Sequence, residues 1–161
     1  METQINKRAI FNYLRDNFEL DWKGIHGAGH WSRVLKNGLL IARSEGARED
    51  VVWLFSFLHD HKRTHEGEDF EHGLLAKENA IWLRRHGGYF RIDDAGFDEL
   101  CYAMSYHSDG LTQSSLTIRT CWDADRLDLG RVGIIPDPQF LCTKTAKDPD
   151  FLSAAYHRSI K

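Results

Sequence analysis

Apolar residues recur along this chain at three- and four-residue spacing, and no paired runs alternate between apolar and polar as half-buried strands would. The pattern predicts an all-α fold. Ile5, Ala9, Ile10, Tyr13, Leu14 and Phe18 place a first amphipathic helix over residues 4–20. Trp31, Val34, Leu35, Leu39 and Ile41 mark a second over 28–44, with Gly46 as its stop. The run VVWLFSFL at 51–58 is apolar nearly all round, which on a short helix marks the buried centre of a domain. HKRTHEGEDFE then reads as a solvent-facing loop, followed by a helix over 70–86, a loop around GGYFRIDD, and helices near 94–108 and 115–129. The segment IIPDPQFL, with two prolines, interrupts the pattern before a short terminal helix at 149–158. Internal repeats and low-complexity tracts are absent, so residues 1–161 read as one domain.

Composition narrows the partners. A net charge of −3 and a pI near 6.3 give no electrostatic footprint for a nucleic-acid duplex, whereas a small phosphorylated ligand needs only a local basic patch. The N-terminal METQINKRAI does not resemble a secretory signal and no apolar run is long enough to span a bilayer, so a cytoplasmic protein is expected. Cys101, Cys121 and Cys142 are odd in number and widely spaced, as reduced buried thiols would be. The 9 histidines are many for this length, and imidazole is the commonest protein ligand of transition metals.

Three places carry candidate chemistry. Asp125 shares a helical stripe with Ile118, Cys121, Trp122 and Leu129, so its carboxylate faces the core, where it needs a cation or several donors. Asp123 points to the opposite side of that helix. Asp128, three residues beyond Asp125, could orient a ligand from behind, while both Asp123 and Asp128 read equally as surface charges paired with Arg126 or Arg131. His107 continues the inward stripe Phe97, Leu100, Cys101, Met104; alone it reads as a hydrogen-bonded core histidine. His59 and Asp60 end an apolar helix, where the macrodipole disfavours a carboxylate by roughly 0.3–1 kcal/mol. Lys62, Arg63 or a metal would repair that mismatch. His30, in the first turn of its helix, is a further polar candidate.

The order His30, then His59-Asp60, then Asp125 resembles the HD superfamily of metal-dependent phosphohydrolases, and so do the contexts HWSRV, LFSFLHD and DADRLD. The resemblance covers roughly residues 26–133, similar to small single-domain bacterial HD proteins. It implies a helical bundle with a divalent metal held between helices by these four residues. The EHG around His72 and the YHSDG around His107 look like the extra ligands of two-metal HD proteins. That set is shared by phosphohydrolases and by HD-type mixed-valent diiron oxygenases. Mixed nitrogen and oxygen donors suit Mn²⁺, Fe²⁺, Co²⁺, Ni²⁺ or Mg²⁺, one ion or two.

The expected activity is hydrolysis of a phosphomonoester or phosphodiester, of a nucleotide or another small phosphorylated metabolite. Alternatives are the oxygenase and a nucleotide sensor without turnover. Asp60, Arg63 and Asp128 are the expected catalytic residues; Arg63 stands where some family members have a lysine. The glutamate that some HD nucleotidases carry at that place is absent. Glu66, Glu68 and Asp69 are open candidates for a general base. His26, His61, His65, His86 and His157 read as structural or exposed, His26 and His61 being the nearest to exceptions, and the five tryptophans read mostly as core.

Overall fold

A computed structural model describes residues 1–161. The chain is 62% helical, with eight helices and almost no sheet. They are α1 (Lys7–Asn17), α2 (Ala28–Glu45), α3 (Glu49–Leu58), α4 (His72–His86), α5 (Asp94–Tyr106), α6 (Leu116–Arg126), α7 (Lys144–Lys147) and α8 (Pro149–Ser159). The all-α expectation holds, and several boundaries do not. The first helix begins only at Lys7, because Gln4–Ile5 (β1) pairs antiparallel with Phe90–Arg91 (β2) and ties the N-terminus to the GGYFRIDD segment. Two-residue strands leave no periodic trace, so the patterning read them as helix and loop. The helix expected to reach residue 129 stops at Arg126, and Leu129–Val132 form a separate 3₁₀ turn.

Helix α3 is the centre, with every residue from Val51 to Leu58 buried. Helices α2, α5 and α6 pack around it, and α4 lies against α5. The sequence permits close approach at two glycines. A Cβ on Gly38 would meet Val52 Cγ1 at 2.5 Å and Ala124 Cβ at 3.3 Å, so α2 sits nearer to α3 and α6 than any side chain would allow. A Cβ on Gly73 would meet the Met104 carbonyl oxygen at 2.6 Å, which lets the first turn of α4 rest on the end of α5. Side-chain caps set the starts of other helices: Asp93 accepts from Gly96 N and Ser115 from Ile118 N.

A second small core joins the C-terminal segment to α2 through Ile41, Leu127, Leu141, Ala146 and Ala155. Asp123 fastens it. Its carboxylate accepts from Cys142 N at 2.8 Å, Thr143 N at 2.7 Å and Thr143 Oγ1 at 2.7 Å. The surface-charge reading of Asp123 is therefore wrong: it does face away from Asp125, but residues 141–143 cover that side of α6 and bury it completely. Trp82 corrects the core reading of the tryptophans, being 43% exposed and stacked on His86, whereas Trp31 and Trp122 are fully buried. The three cysteines are free, Cys121 buried and the other two half-buried. No helix is long and apolar enough to cross a membrane.

Candidate metal centre

Every candidate donor stands at a helix end, and the ends converge. His30 lies in the first turn of α2, His59 caps α3 with Asp60 following it, His72 opens α4, His107 caps α5 and Asp125 is in the last turn of α6. Side chains at these positions reach past the packed helix bodies into a common space. All four imidazoles and Asp60 are buried, and the Asp125 side chain is 16% exposed.

Tautomers follow from what each Nδ1 meets. His59 Nδ1 donates to the Phe55 carbonyl at 2.9 Å, His107 Nδ1 to the Met104 carbonyl at 2.6 Å and His72 Nδ1 to the Asp69 carbonyl. His30 Nδ1 donates to the Asp128 carboxylate at 2.7 Å. A carbonyl or carboxylate can only accept here, so each Nδ1 holds a proton, and a ring that carries no second proton turns its Nε2 lone pair inward.

Those lone pairs meet one another. His30 Nε2 is 3.2 Å from His59 Nε2, and both approach Asp60 Oδ2 (3.3 and 3.5 Å) and Asp125 Oδ1 (3.2 and 3.5 Å). His72 Nε2 is 2.7 Å from His107 Nε2, and the pair approaches Asp60 Oδ1 at 3.4 and 3.6 Å. Acceptors face acceptors in both groups, an arrangement that repels unless positive charge lies between them. Donors bound to one divalent ion at about 2.1 Å lie roughly 3 to 3.4 Å apart, close to the spacing in the first group. The residues thus fit a divalent cation, with Asp60 facing two donor groups through its two oxygens: His30, His59 and Asp60 on one side, Asp60, His72 and His107 on the other.

Electrostatics point the same way. Burial pushes the His30 imidazole down, but Asp125, Asp128 and Asp60 outweigh it and raise its pKa to about 10. Burial pushes the Asp60 carboxyl up, yet the histidines around it, His59 foremost, hold it well below the usual carboxylate range. Asp125 is likewise depressed, burial being outweighed by His30 and His59. His72 falls to about 4 through burial and the neighbouring His107. Metal-free, the cluster answers its own negative charge by protonating His30; a cation would displace that proton.

Asp128 is not a surface charge. It is fully buried, and besides His30 it accepts from Arg33 Nε at 2.7 Å and Arg33 Nη2 at 3.1 Å. Arg33 escaped the sequence reading, although it stands one helical turn after His30 on the same face. Arg63 is drawn in from its loop, donating from Nε to Asp60 Oδ1 at 3.1 Å and from Nη1 to the Gly67 carbonyl at 3.1 Å.

Among the possible bases, Glu66 is engaged by His26 Nδ1 at 2.5 Å, and Asp69 accepts from Thr64 N and Glu71 N. His61 is buried among Tyr13, Phe18 and Trp31, outside the two donor groups, and burial with the nearby Lys62 lowers its pKa to about 4. His65, His86 and His157 are exposed. Beside Asp125 and His107 opens a cleft of about 400 Å³ that Arg63, Arg126 and Arg131 also line.

The chain is similar to a crystal structure described as a predicted HD superfamily hydrolase, from an uncultured Thermotogales bacterium. The TM-score is 0.72 and the identity 28%, over 95% of this chain and 86% of that one. No family model and no curated protein matches the chain.

Proposed function

Since the chain belongs to the HD superfamily, we propose that its single domain is a metal-dependent phosphohydrolase acting on a small phosphomonoester or phosphodiester. The observation that carries this reading is the set of inward Nε2 lone pairs around the two oxygens of Asp60, opening beside arginines onto a cleft. His30, His59, Asp60 and Asp125 would hold one divalent ion, and His72 and His107 with Asp60 a second. Bound there, such ions supply Lewis acidity, lowering the pKa of water and offsetting charge on a phosphoryl group.

The chain's own residues do the rest. Asp128 fixes the His30 ring through Nδ1, and Arg33 holds Asp128 in turn, so the ligand nitrogen is aimed before any ion arrives. Arg63 keeps Asp60 oriented through Nε and lines the cleft, where its guanidinium can donate to a phosphate oxygen. The cleft beside Asp125 and His107 offers an approach for substrate and water.

A second reading, an iron-dependent oxygenase, rests on the same donors, because two nitrogen and oxygen sets sharing one carboxylate suit a pair of iron ions as well. One experiment separates them. Protein purified without added metal is analysed for metal content, then assayed for phosphate release from phosphomonoesters, for alcohol release from phosphodiesters, and for O₂ consumption. Hydrolysis of one of these ester classes with Mn²⁺ or Mg²⁺ is expected, and metal-dependent O₂ uptake without hydrolysis of either class would replace the hydrolase reading. Asp60→Asn, which weakens both donor groups, should lose most of the metal and at least about 100-fold in turnover. Full metal retention by that variant would remove the site.

A further inference from the structure

Arg131 brings a fixed positive charge to the cleft. It stands in the 3₁₀ turn Leu129–Val132, which is seated directly against Ser159 of α8 because Gly130 has no side chain to keep it off. Two of the three guanidinium nitrogens are held: Nε donates to the Ile25 carbonyl at 2.8 Å and Nη1 to the Asp128 carbonyl at 3.0 Å. The side chain is only 10% exposed, and both of these partners are neutral. The one carboxylate oxygen within 4 Å, Asp128 Oδ2 at 3.9 Å, already accepts from His30 and Arg33. A cation this buried, without a close counter-charge, is costly and calls for an anion.

The third nitrogen, Nη2, has no partner in the protein and is not sealed off by it. Arg63 repeats the arrangement in the same cleft. Its Nε and Nη1 are engaged by Asp60 Oδ1 and the Gly67 carbonyl, its side chain is 13% exposed, and its Nη2 is likewise free. The charge of Arg131 is felt at His30 and His26 and that of Arg63 at His26, so both arginines stand at the metal end of the cleft. Arg126 adds positive charge nearby, but its unpaired Nη2 is buried and touches no ligand.

We propose that Arg131 Nη2 and Arg63 Nη2 together donate to the terminal phosphate of the substrate, and that this pair selects phosphomonoesters over phosphodiesters. The proposal rests on the phosphohydrolase reading and narrows it. A monoester phosphate carries a charge of about −1.5 to −2 at neutral pH, with three unsubstituted oxygens as strong acceptors. A diester carries one negative charge and two such oxygens, with a second organic group in place of the third. Two guanidiniums that are each fixed at two nitrogens cannot turn away from that group, so one donor is left unanswered and part of the charge uncompensated. Hydrolysis of the monoester breaks its ester P–O bond, water supplying the new oxygen and the alcohol's proton, and the inorganic phosphate formed is a ligand for the same pair.

The test sets p-nitrophenyl phosphate against methyl p-nitrophenyl phosphate, a monoester and a diester with the same leaving group, on the metal-loaded protein. The wild type should favour the monoester, and a preference for the diester overturns the proposal without any variant. Arg131→Gln should lower the monoester-to-diester ratio of kcat/KM about tenfold, and Arg131→Lys, which keeps the charge without the fork, should lower it less. Arg8→Gln, at an exposed position on α1, should leave the ratio alone. A purely structural role, exerted through the Ile25 and Asp128 carbonyls, would slow both esters alike, so an unchanged ratio in Arg131→Gln also overturns the proposal. Calorimetry with inorganic phosphate adds a readout without turnover: at equal metal content Arg131→Gln should bind it about tenfold more weakly than the wild type. If the wild type hydrolyses neither class of ester, the phosphohydrolase reading falls and phosphate binding decides the arginine pair by itself. Weaker binding by Arg131→Gln then supports an anion site, whereas equal affinity, or no binding by the wild type, overturns it.

Discussion

Asp128 shows how much one buried carboxylate can organise. It receives His30 Nδ1, two Arg33 nitrogens and, more distantly, Arg131 at 3.9 Å, so its charge is matched although no water reaches it. Asp128→Asn keeps the shape and removes the charge. Metal affinity should fall about 10- to 100-fold, measured by competition with a chromophoric chelator, because the His30 tautomer is no longer enforced.

His61 sets a different test. Burial first and Lys62 second lower its pKa from 6.5 to about 4, so the fold favours the neutral ring. Its contribution to stability is complete above pH 6.5 and is lost as pH falls toward 4, up to about 3 kcal/mol. His30, raised to about 10 in the metal-free chain, has the opposite sign: its contribution is complete below 6.5 and fades as pH rises toward 10. Urea unfolding of chelator-treated protein should therefore show His61→Phe with a shallower loss of stability between pH 6.5 and 4 than the wild type.

Gly73 ties helix packing to the second donor group. It stands in the first turn of α4 beside His72, and only the absence of a side chain lets that turn rest on the Met104 carbonyl at the end of α5. His72 and His107, one on each helix, face each other as a result. Gly73→Ala should destabilise the protein by about 1–3 kcal/mol and push the two imidazoles apart. In metal analysis its content should drop toward that of His107→Ala, while the His30 group on α2 keeps its ion. Gly38 makes the corresponding approach of α2 to α3 and α6 possible, but no donor depends on it directly.

Across the molecule, five helix ends from different parts of the chain share one buried acceptor cluster, and nothing but positive charge reconciles them. A bound cation therefore stabilises the folded state alone. Removing metal with a chelator should lower the Tm by several degrees, and re-adding a divalent ion should restore it, on the basis that binding contributes about 2.7 kcal/mol once free metal exceeds Kd a hundredfold. Reloading at pH 7 should also release protons, His30 being protonated in the metal-free chain. An unchanged Tm with and without chelator would argue against resident metal.

Composition and periodicity determined much of this protein unaided. The helices were legible because a buried face must recur every three to four residues, and α3 because a helix packed on all sides is apolar on all sides. Asp125 was legible because a carboxylate on an apolar stripe stands out against its neighbours. The same argument gave Asp123 its side of the helix but not its burial, and left Asp128 open, since helical phase tells which side a residue faces and not what later covers that side. The segment around 141–143 buries Asp123, and Arg33 with His30 claims Asp128, across sequence separations that no local pattern records. Only the tertiary structure decided that the two oxygens of Asp60 serve separate histidine pairs, and that Arg126 ends beside the cleft with a nitrogen unpaired. Both depend on how whole helices are set against one another, and that geometry is fixed by packing at places such as Gly73 and Gly38.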